Sequence, residues 1–365
     1  MSIEEPAHRA PAAHRAAEVL RLLTRARRPL TLSAIAAAIG APKASTLGVC
    51  NSLTAERMLV RSEDGGYWLG PGVAELASSP HTRRASLRKV GLTIPSRLNR
   101  FYTAEQSAAE RESAQRGVQL TALAADEHVE RQQDQIIGFV DDGADLVIVD
   151  PVSSEGLESA LAYATRHGVP VVAVNAGAHG ADLAITTDNA MAGSLAARTL
   201  LAAVPGLRRV AIVDGAGLTA IADRVQGFTE TIQEDGDAQI VAVGAGDNSR
   251  EHGESTAGRL LTEHPDVEAF FAVNDPTALG VRDACLAARS SAVIASVDGS
   301  SEVVELLNAT DQHLICTAVQ DPAALIAAAF RFGRALCDGY QLVHGTILLP
   351  SDIVTAQNAR EYAPW

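Results

Sequence analysis

Residues 28–70, RPLTLSAIAAAIGAPKASTLGVCNSLTAERMLVRSEDGGYWLG, contain the pattern of two short helices followed by a β-hairpin. Thr31 or Ser33 can cap a helix over residues 33–39, because both side chains can accept a hydrogen bond from the first helical turn. Gly40 supplies the left-handed backbone that ends this helix. The stretch therefore predicts two helices that are joined by a tight turn.

Two further elements flank that helix pair. A helix over residues 12–26 is predicted because apolar residues recur there at helical spacing. Pro42 suits the first turn of the third helix, where its missing N–H costs no hydrogen bond. Segments of alternating polarity surround the DGG turn at 64–66 and predict a hairpin. The pattern predicts a winged helix-turn-helix over residues 12–78, called the head below. Residues expected to face inward from its third helix are Val49, Leu53 and Met58.

The head resembles the DNA-binding domain of the IclR family over residues 15–77. Three motifs in combination carry the resemblance, namely RPLTLSAIA, GAPKAST and DGGYWLGP. A helix-turn-helix places the N-terminal part of its third helix in the major groove of duplex DNA. The chain departs from the family at Gly48 and Val49, where a basic or bulky polar side chain is common, so fewer base contacts are expected. DNA contacts are implied for Lys43, Ser45, Thr46, Asn51 and, in the wing, Arg61.

Charge is divided unequally along the chain. Residues 1–89 carry 13 Lys and Arg against 7 Asp and Glu, whereas the remaining 276 residues carry 17 against 37. A basic head is typical of proteins that contact phosphates, and an acidic remainder disfavours non-specific adhesion to nucleic acid. A solvated surface can carry the same asymmetry, so charge supports the helix-turn-helix prediction without establishing it. The turn-forming segment SSPHTRRAS predicts a basic linker over residues 79–88.

Several function classes are disfavoured by the sequence. No apolar run is long enough for a transmembrane helix and the N-terminus lacks the pattern of a signal peptide, which predicts a cytoplasmic protein without a membrane partner. Neither a nucleophile elbow, a Walker loop nor an HExxH motif is present, so no enzyme activity and no cofactor are expected. The cysteines show no metal-binding spacing and are expected to be reduced and mostly buried. They are Cys50, Cys285, Cys316 and Cys337.

Beyond the linker, in the body of residues 89–365, apolar runs alternate with helical segments. The runs are continuous and rich in β-branched residues, which is typical of parallel strands buried on both faces. Nine runs exceed one sheet of usual size, so the pattern predicts a doubly wound α/β body of two parallel-sheet lobes. The runs lie at residues 90–94, 118–123, 146–150, 169–174, 210–214, 239–244, 269–273, 292–298 and 315–319.

The body resembles the type I periplasmic sugar-binding proteins and the effector domains of the LacI family over residues 89–361. The motifs that carry this resemblance include VGLTIPSRLNRFY, HGVPVVAVNAG, TTDNAMAG, ADRVQGF, IASVDGSSE and CTAVQDPAALI. In that family two lobes close on a ligand by bending at three chain crossings. The resemblance places the crossings near 187–189, 320–321 and 350. It implies an N-terminal lobe of residues 89–187 with 321–349 and a C-terminal lobe of residues 188–320 with 350–365.

Carried over position by position, this resemblance implies a ligand site of nine side chains. All of them lie just beyond predicted strands or at helix starts, where open α/β sheets bind ligands. Their amide, carboxylate and guanidinium groups offer the donors and acceptors that hydroxyl-rich ligands need, and two aromatic rings can pack on a sugar ring. The site residues are Asn99, Phe101, Tyr102, Asn175, Arg224, Asn248, Asn274, Asp298 and Gln320.

Two departures bear on the ligand. Ribose-type binders usually carry an Asp-Arg pair where this chain has Asn175 and Ala176, and often an aromatic wall where it has Asn248. A pocket with less charge and less stacking fits a polyol, a deoxy sugar or a bulkier sugar derivative better than ribose itself.

Plainer roles are open for each of these residues. Asp298 and Asn274 can simply cap the helices that follow their strands. Phe101 and Tyr102 can belong to the core, and Arg224 can be a surface residue on a helix. Their occurrence together in one family pattern favours a ligand site.

Two other functions also remain open. The segment GAGLTA at 215–220 follows a strand and opens a helix, as a dinucleotide-binding fingerprint does. With Asp247 as a poor ribose partner, it leaves a dinucleotide-dependent oxidoreductase or a redox-sensing regulator as an alternative. A sugar-binding transport receptor is the other alternative, although such a receptor has no use for a DNA-binding head.

Head and body together predict a ligand-responsive transcription regulator. Its expected partners are double-stranded operator DNA and a sugar or polyol effector that allosterically changes operator binding. A homodimer is expected because one winged helix offers too few contacts for physiological affinity, and the body is expected to supply the dimer contact.

Overall fold

The computed structural model describes residues 11–24, 26, 28–62, 65–73, 87–215, 217–340 and 345–365. The chain divides into two compact units, Met1–Arg84, which contains the head, and Ala85–Trp365, which contains the body. Most of the predicted linker, residues 79–86, lies outside the described residues, as do residues 63 and 64 of the predicted hairpin turn.

The head has three helices and a small antiparallel sheet, as the sequence predicts. The helices are α1 (Pro11–Leu23), α2 (Leu32–Ala38) and α3 (Lys43–Ala55), and the strands are β1 (Leu30–Thr31), β2 (Leu59–Arg61) and β3 (Gly66–Leu69) in the order β1-β3-β2. Thr31 caps α2, since its hydroxyl accepts a hydrogen bond from the Ala34 amide at 3.3 Å. A single apolar core joins these elements through Val19, Leu23, Ile35, Cys50, Leu59 and Tyr67.

Helix boundaries in the head differ from the predictions most at the C-terminal ends of α1 and α3. Helix α1 ends at Leu23, not at residue 26. Helix α3 ends at Ala55, so Met58 lies beyond it and is only partly buried. The chain turns there because Arg57 adopts a left-handed conformation with φ 59°, and the Met58 amide then bonds back to the Leu53 carbonyl at 2.7 Å.

The N-terminal lobe is built on a six-stranded, wholly parallel sheet of order β14-β8-β7-β6-β4-β5. Its strands are β4 (Lys89–Ile94), β5 (Gln119–Ala124), β6 (Leu146–Val149), β7 (Val171–Val174), β8 (Leu183–Thr187) and β14 (Thr346–Leu349). Its helices are α4 (Arg100–Arg116), α5 (Val129–Asp141), α6 (Glu158–Arg166) and α12 (Pro322–Cys337).

The C-terminal lobe repeats this design with the strand order β10-β9-β11-β12-β13-β15. Its strands are β9 (Arg209–Val213), β10 (Gln239–Gly244), β11 (Ala269–Ala272), β12 (Val293–Asp298), β13 (Leu314–Val319) and β15 (Ile353–Thr355), the last of which is antiparallel to β13. Its helices are α7 (Asn189–Ala203), α8 (Thr219–Asp235), α9 (Arg250–Glu263), α10 (Asp275–Ala288) and α11 (Ser301–Asn308). The predicted fold class of two doubly wound lobes behind a winged helix-turn-helix is confirmed.

Three strands in the body escaped the sequence prediction, although all nine predicted runs form strands. The missed strands are β8, β14 and β15, of which two have three or four residues. Short segments of this kind gain their strand conformation from distant partners, because β14 pairs with β8 and β15 pairs with β13 across large sequence separations.

The chain passes from one sheet to the other at three places, after Thr187, after Val319 and after Leu349. The crossings lie side by side, because the Asp188 amide bonds to the Leu349 carbonyl and the Val319 amide bonds to the Asp352 carbonyl, both at 2.7 Å. Neighbouring crossings of this kind provide the geometry of a hinge between the lobes.

Helices α7 and α8 approach each other so closely that only glycine fits between them. A Cβ atom on Gly193 would lie 2.0 Å from the Arg224 carbonyl oxygen, and a Cβ on Gly227 would lie 2.0 Å from the Ala190 carbonyl oxygen. Both neighbours are backbone atoms of well-packed helices, so neither can yield easily. The same contact brings Arg224 next to Asn189.

Gly193→Ala should lower the free energy of unfolding by about 2–3 kcal/mol, because the new methyl group must push two helices apart. Gly258→Ala is the matched control, since a Cβ at Gly258 in helix α9 meets no atom within 4 Å. That change should be neutral or stabilise by up to about 1 kcal/mol. Urea unfolding followed by circular dichroism measures both, and equal effects of the two substitutions would contradict the packing argument.

Candidate functional site

A cavity lies between the two lobes of the body at the carboxyl ends of their strands. All nine side chains expected at the ligand site line it, together with Leu218, Ala220 and Ile221 at the start of α8. The cavity measures about 30 Å³, which is room for about one or two water molecules. A molecule of sugar size therefore enters only if the lobes move apart. Whether the nine side chains bind a ligand stays a prediction.

The first wall of the cavity is the start of helix α4. Asn99 caps this helix, since its side-chain oxygen accepts a hydrogen bond from the Phe101 amide at 2.9 Å. Phe101 and Tyr102 are both buried, and their rings meet edge to face with centroids 5.9 Å apart. Trp365 supports Phe101 from behind at 5.3 Å, so these aromatic residues serve the core and the pocket at once.

Behind the pocket, Asn175 connects to a pair of buried acids. Asn175 follows β7 with φ 63°, and its amide nitrogen lies 3.2 Å from the Asp150 carboxylate. Asp150 also interacts with the Glu105 carboxyl group, and both acids are completely buried. Burial raises the pKa of Asp150 to about 7, and burial followed by the Asp150 charge raises the pKa of Glu105 well above its usual value. Both shifts favour the protonated forms of these two carboxyl groups.

The opposite wall is organised by Arg224, whose side chain is 3% exposed. Its Nε donates to Asn189 Oδ1 and its Nη1 donates to the Val273 carbonyl, both at 2.8 Å. The same Nη1 lies 3.6 Å from Asp298 Oδ1 and forms a buried ion pair. Arg224 is therefore a fixed part of the wall and not a solvated surface residue.

Asp298 ends strand β12 and sits at the centre of a second acidic cluster. Its Oδ1 accepts a hydrogen bond from Gln320 Nε2 at 2.9 Å, and its Oδ2 accepts one from the Asp275 amide at 3.2 Å. Burial raises the pKa of Asp298 to about 7, although the Arg224 guanidinium acts to lower it. Ser300, not Asp298, occupies the N-cap position of the following helix α11, although its side chain makes no capping hydrogen bond. The pocket position of Asp298 therefore does not come from capping that helix.

Asn274 and Asn248 hold the far end of the cavity. Asn274 caps helix α10 by accepting from the Thr277 amide at 3.0 Å, and its own amide nitrogen donates to the Asn248 carbonyl at 3.1 Å. Asn274 therefore combines the capping role with a place in the pocket wall. The Asn248 side-chain oxygen fills the space over Gly215, where a Cβ would lie 2.0 Å from it.

Two hydrogen bonds link the lobes at the mouth of the cavity. The Thr219 amide donates to Ser154 Oγ at 3.1 Å, and Thr219 Oγ1 accepts from the Gly177 amide at 3.0 Å. Thr219 is the first residue of helix α8, and this is the helix that a dinucleotide fingerprint would open. Ser154 Oγ accepts a hydrogen bond from the first backbone amide of α8, which a bound pyrophosphate would need. The geometry therefore does not favour the dinucleotide interpretation. Ala216 of that segment lies outside the described residues.

Sequence reasoning missed several residues around the cavity. Asp150 directly follows strand β6, a position of the same kind as those of the predicted site residues, so it could have been predicted. Glu105 lies within a helix whose buried face is mixed in polarity, and Trp365 is remote in sequence from the pocket. No local pattern signals these two positions.

The third helix of the head presents a separate exposed face. Lys43 and Asn51 are exposed on α3, and Arg61 is exposed on the wing, with its guanidinium 5.6 Å from the Tyr67 ring centre. Ser45 is partly buried and accepts a hydrogen bond from Arg15 Nη1 at 2.8 Å. Leu47, which was not predicted, is 38% exposed on the same face as Asn51.

The prediction for Thr46 is wrong in this structure. Its side chain is completely buried, and its hydroxyl donates to the Pro42 carbonyl at 3.1 Å. Thr46 lies one helical turn from Cys50, which belongs to the core of the head, so it faces inward and not toward a DNA groove.

Other functional features are sparse in the part of the chain that the structure describes. No group of three or more His, Cys, Asp or Glu side chains there is placed to hold a metal ion. Among the described helices none is by itself long and apolar enough to cross a membrane, and only the bent pair of α2 and α3 meets that test jointly. Cys50, Cys285 and Cys316 are buried free thiols, and Cys337 is partly buried.

Comparison with known proteins identifies a family for each part of the chain. The family model described as the periplasmic binding protein domain matches residues 90–341, and the model described as the IclR helix-turn-helix domain matches residues 12–63. Both resemblances that the sequence motifs predict are thereby confirmed.

Individual relatives are solute-binding proteins. The ribose import binding protein of Bacillus subtilis (strain 168) is 27% identical over 269 residues, which cover 73% of this chain and 87% of that protein. The binding-protein component of the arabinose transporter from Shewanella sp. ANA-3, bound to L-arabinofuranose, has a TM-score of 0.70 and 26% identity over 75% of this chain and 93% of its own. A transporter solute-binding protein from Mycobacterium smegmatis with bound glycerol has a TM-score of 0.71 and 25% identity, over 75% and 96%.

Glu105→Gln should change how stability depends on pH. A carboxyl group whose pKa is higher in the folded than in the unfolded chain penalises folding as it ionises, so its penalty grows from about pH 4 upward and levels off above the folded value. The melting temperature of Glu105→Gln minus that of the wild type should therefore be larger at pH 8 than at pH 5. Glu110→Gln, on the exposed face of the same helix, should show a difference that does not vary with pH. The same difference at both pH values for Glu105→Gln would contradict the raised pKa of Glu105.

Proposed function

Because this chain belongs to the periplasmic binding protein family and carries an IclR-type helix-turn-helix domain, we propose that it is a transcription regulator whose body senses a small hydroxylated molecule. The effector class is a sugar, a polyol or a related compound, and its binding changes the affinity of the head for operator DNA. The protein acts in the cytoplasm as a homodimer and catalyses no reaction.

One observation carries this proposal. All nine side chains that the sequence assigned to a ligand site line a single cavity between the lobes, in a chain that also carries a helix-turn-helix domain. The ring pair of Phe101 and Tyr102 opposes the polar wall of Arg224 and Asp298, which is the arrangement that sugar rings require. Relatives named for ribose import, arabinofuranose and glycerol support the ligand class.

Coupling between the two sites follows from the hinge. The small cavity and the Ser154–Thr219 bond describe lobes that are closed, and three adjacent crossings allow them to open. A ligand that contacts both lobes stabilises the closed state, and a coupling free energy of about 1–3 kcal/mol is typical of such systems.

Asp298→Asn and Lys43→Ala should separate the two activities. Asp298→Asn removes a pocket charge, so the rise in melting temperature with ligand and the response of DNA binding should both be lost while operator binding persists. Lys43→Ala should leave the thermal shift intact, weaken binding to all DNA sequences and lower the salt slope by about 1. Fluorescence anisotropy on duplexes selected by the wild-type protein from a random library, with and without sugars and polyols, provides the measurement.

Arg198→Ala is the control for Lys43→Ala, since Arg198 is exposed on helix α7 of the body. It should change neither property. An Asp298→Asn protein that still responds normally to ligand would show that the pocket has been misplaced. A wild-type protein that selects no duplex would refute regulation through DNA.

The proposed dimer is supported by two edge strands. Strand β5 is at one edge of the N-terminal sheet and β10 at one edge of the C-terminal sheet, and each exposes an apolar side chain, Leu123 at 38% and Val243 at 57%. Exposed apolar edges of sheets are otherwise prone to uncontrolled association. A second copy of the chain, related by two-fold symmetry, would cover both edges and match a pseudo-palindromic operator.

Leu123→Lys and Val243→Lys together should convert the dimer to a monomer, because charges would be buried without partners at its centre. Light scattering after size-exclusion chromatography measures the mass. Leu286→Lys is the matched control, since Leu286 is 43% exposed on helix α10 away from these strands. A wild-type monomer, or a double variant that remains dimeric, would contradict this interface.

The named relatives also suggest a transport receptor as a second candidate. A receptor of this kind works outside the cytoplasmic membrane, where a DNA-binding head has no function. Cell fractionation separates the candidates, because the regulator must be recovered with the cytoplasm.

A further inference from the structure

The buried charges of the body are unbalanced. Among the described residues, the buried acidic side chains are Glu105, Asp150, Asp275 and Asp298, whereas Arg224 is the single buried Arg or Lys. All of them line the cavity or stand directly behind its walls. The four carboxyl groups outnumber the single guanidinium, and burial makes a carboxylate without a cation costly. That cost raises the pKa of Asp150 and of Asp298 to about 7.

Two of the four acids have fixed partners. Asp275 accepts hydrogen bonds from Ser296 at 2.6 Å, Thr317 at 2.7 Å and the Ser300 amide at 2.7 Å. Asp298 takes the Arg224 ion pair and the Gln320 amide. Arg224 is held on that side by Asn189, the Val273 carbonyl and Asp298, and no hydrogen bond or ion pair joins it to Asp150 or Glu105 among the described contacts.

The pair of Glu105 and Asp150 has no cation. Neither Glu105 oxygen has a hydrogen-bond donor among the described groups, and the side-chain donor to Asp150 is the neutral Asn175 amide. Asn175 is the pocket residue that contacts this pair by a hydrogen bond.

That contact fixes the orientation of Asn175. Because its amide nitrogen must face the carboxylate of Asp150, its side-chain oxygen Oδ1 must face the other way, toward the cavity that Asn175 lines. Gln320 is fixed in the same manner by Asp298, and its Oε1 is the matching oxygen. Both amide oxygens are buried and have no hydrogen-bond partner. The cavity thus presents hydrogen-bond acceptors, backed by carboxylates, on both sides.

We propose that the effector carries a protonated amine, as an amino sugar or an amino polyol does, and that this amine donates to Asn175 Oδ1. This inference rests on the proposed sensing function and specifies its ligand. An ammonium group brings donors without acceptors and adds the missing positive charge beside Asp150 and Glu105, whereas a hydroxyl brings both and adds no charge. The aromatic rings of Phe101 and Tyr102 line the same wall, and aromatic rings are compatible with a nearby cation.

Pairs of compounds that differ by one amine test the proposal on the wild-type protein. D-glucose with D-glucosamine, D-galactose with D-galactosamine, and sorbitol with 1-amino-1-deoxysorbitol are each compared by thermal shift and calorimetry at pH 7. In at least one pair the amine should bind more tightly by about tenfold or more, as expected for a hydrogen bond to a charged group.

Asp150→Asn tests the origin of that preference. It removes the charge behind Asn175 and no longer fixes the Asn175 amide, so the ratio of amine to hydroxyl affinity should fall toward one. A purely structural role would weaken both members of a pair equally. Asp182→Asn is the control, because Asp182 accepts a hydrogen bond from the Val171 amide in the same lobe and lies outside the pocket lining. Its ratio should equal that of the wild type.

The outcomes separate this inference from the proposed function. If neutral compounds bind as tightly as their amines and change operator binding, the regulator stands and the amine is wrong. If no compound of either kind binds, both proposals fail. A third outcome concerns free cations. If sodium chloride without ligand raises the melting temperature as much as the amines do, and choline chloride does not, a free cation balances the acids. The amine proposal is then wrong.

Discussion

The burial of the Arg224 guanidinium is the constraint on which the interlobe site depends. A buried cation needs partners inside the protein, and Arg224 finds them in Asn189, the Val273 carbonyl and Asp298. These three partners come from helix α7, from the end of β11 and from the end of β12, so one side chain ties together the elements that form a wall. Close packing of α7 on α8 through Gly193 is what makes the reach possible.

In the part of the chain that the structure describes, the wall from the N-terminal lobe contains no cation and is held in place by other contacts. Its polar groups are acids and amides, and its rigidity comes from helix capping by Asn99 and from the aromatic contacts of Phe101. Charge is therefore separated across the cavity, with the cation committed to one lobe and an unpaired acid pair in the other. A ligand that satisfies both walls must hold the lobes together, which is the physical requirement for a sensor that works by closure.

The residues that line the pocket could be anticipated from sequence because the family resemblance carried them over position by position. Strand topology agrees with that assignment, since the carboxyl ends of parallel strands meet at one edge of a sheet and Asn274 and Asp298 follow or end neighbouring strands. Thr46 shows the limit of the same reasoning in the head. Its place in the third helix was correct, but its direction depends on how α3 packs against the core.

The sequence by itself determined the fold class and the order of the domains, since periodicity and motif spacing are local properties of the chain. Its family resemblance indicated the nine side chains that line the cavity. Tertiary structure alone decided which groups stand behind those side chains. Glu105 meets Asp150 across 45 residues of sequence, and Trp365 reaches the Gln320 carbonyl from the far end of the body. Such contacts arise when separate elements exclude water from a shared interior, and the protonation and orientation of polar groups there depend on that exclusion.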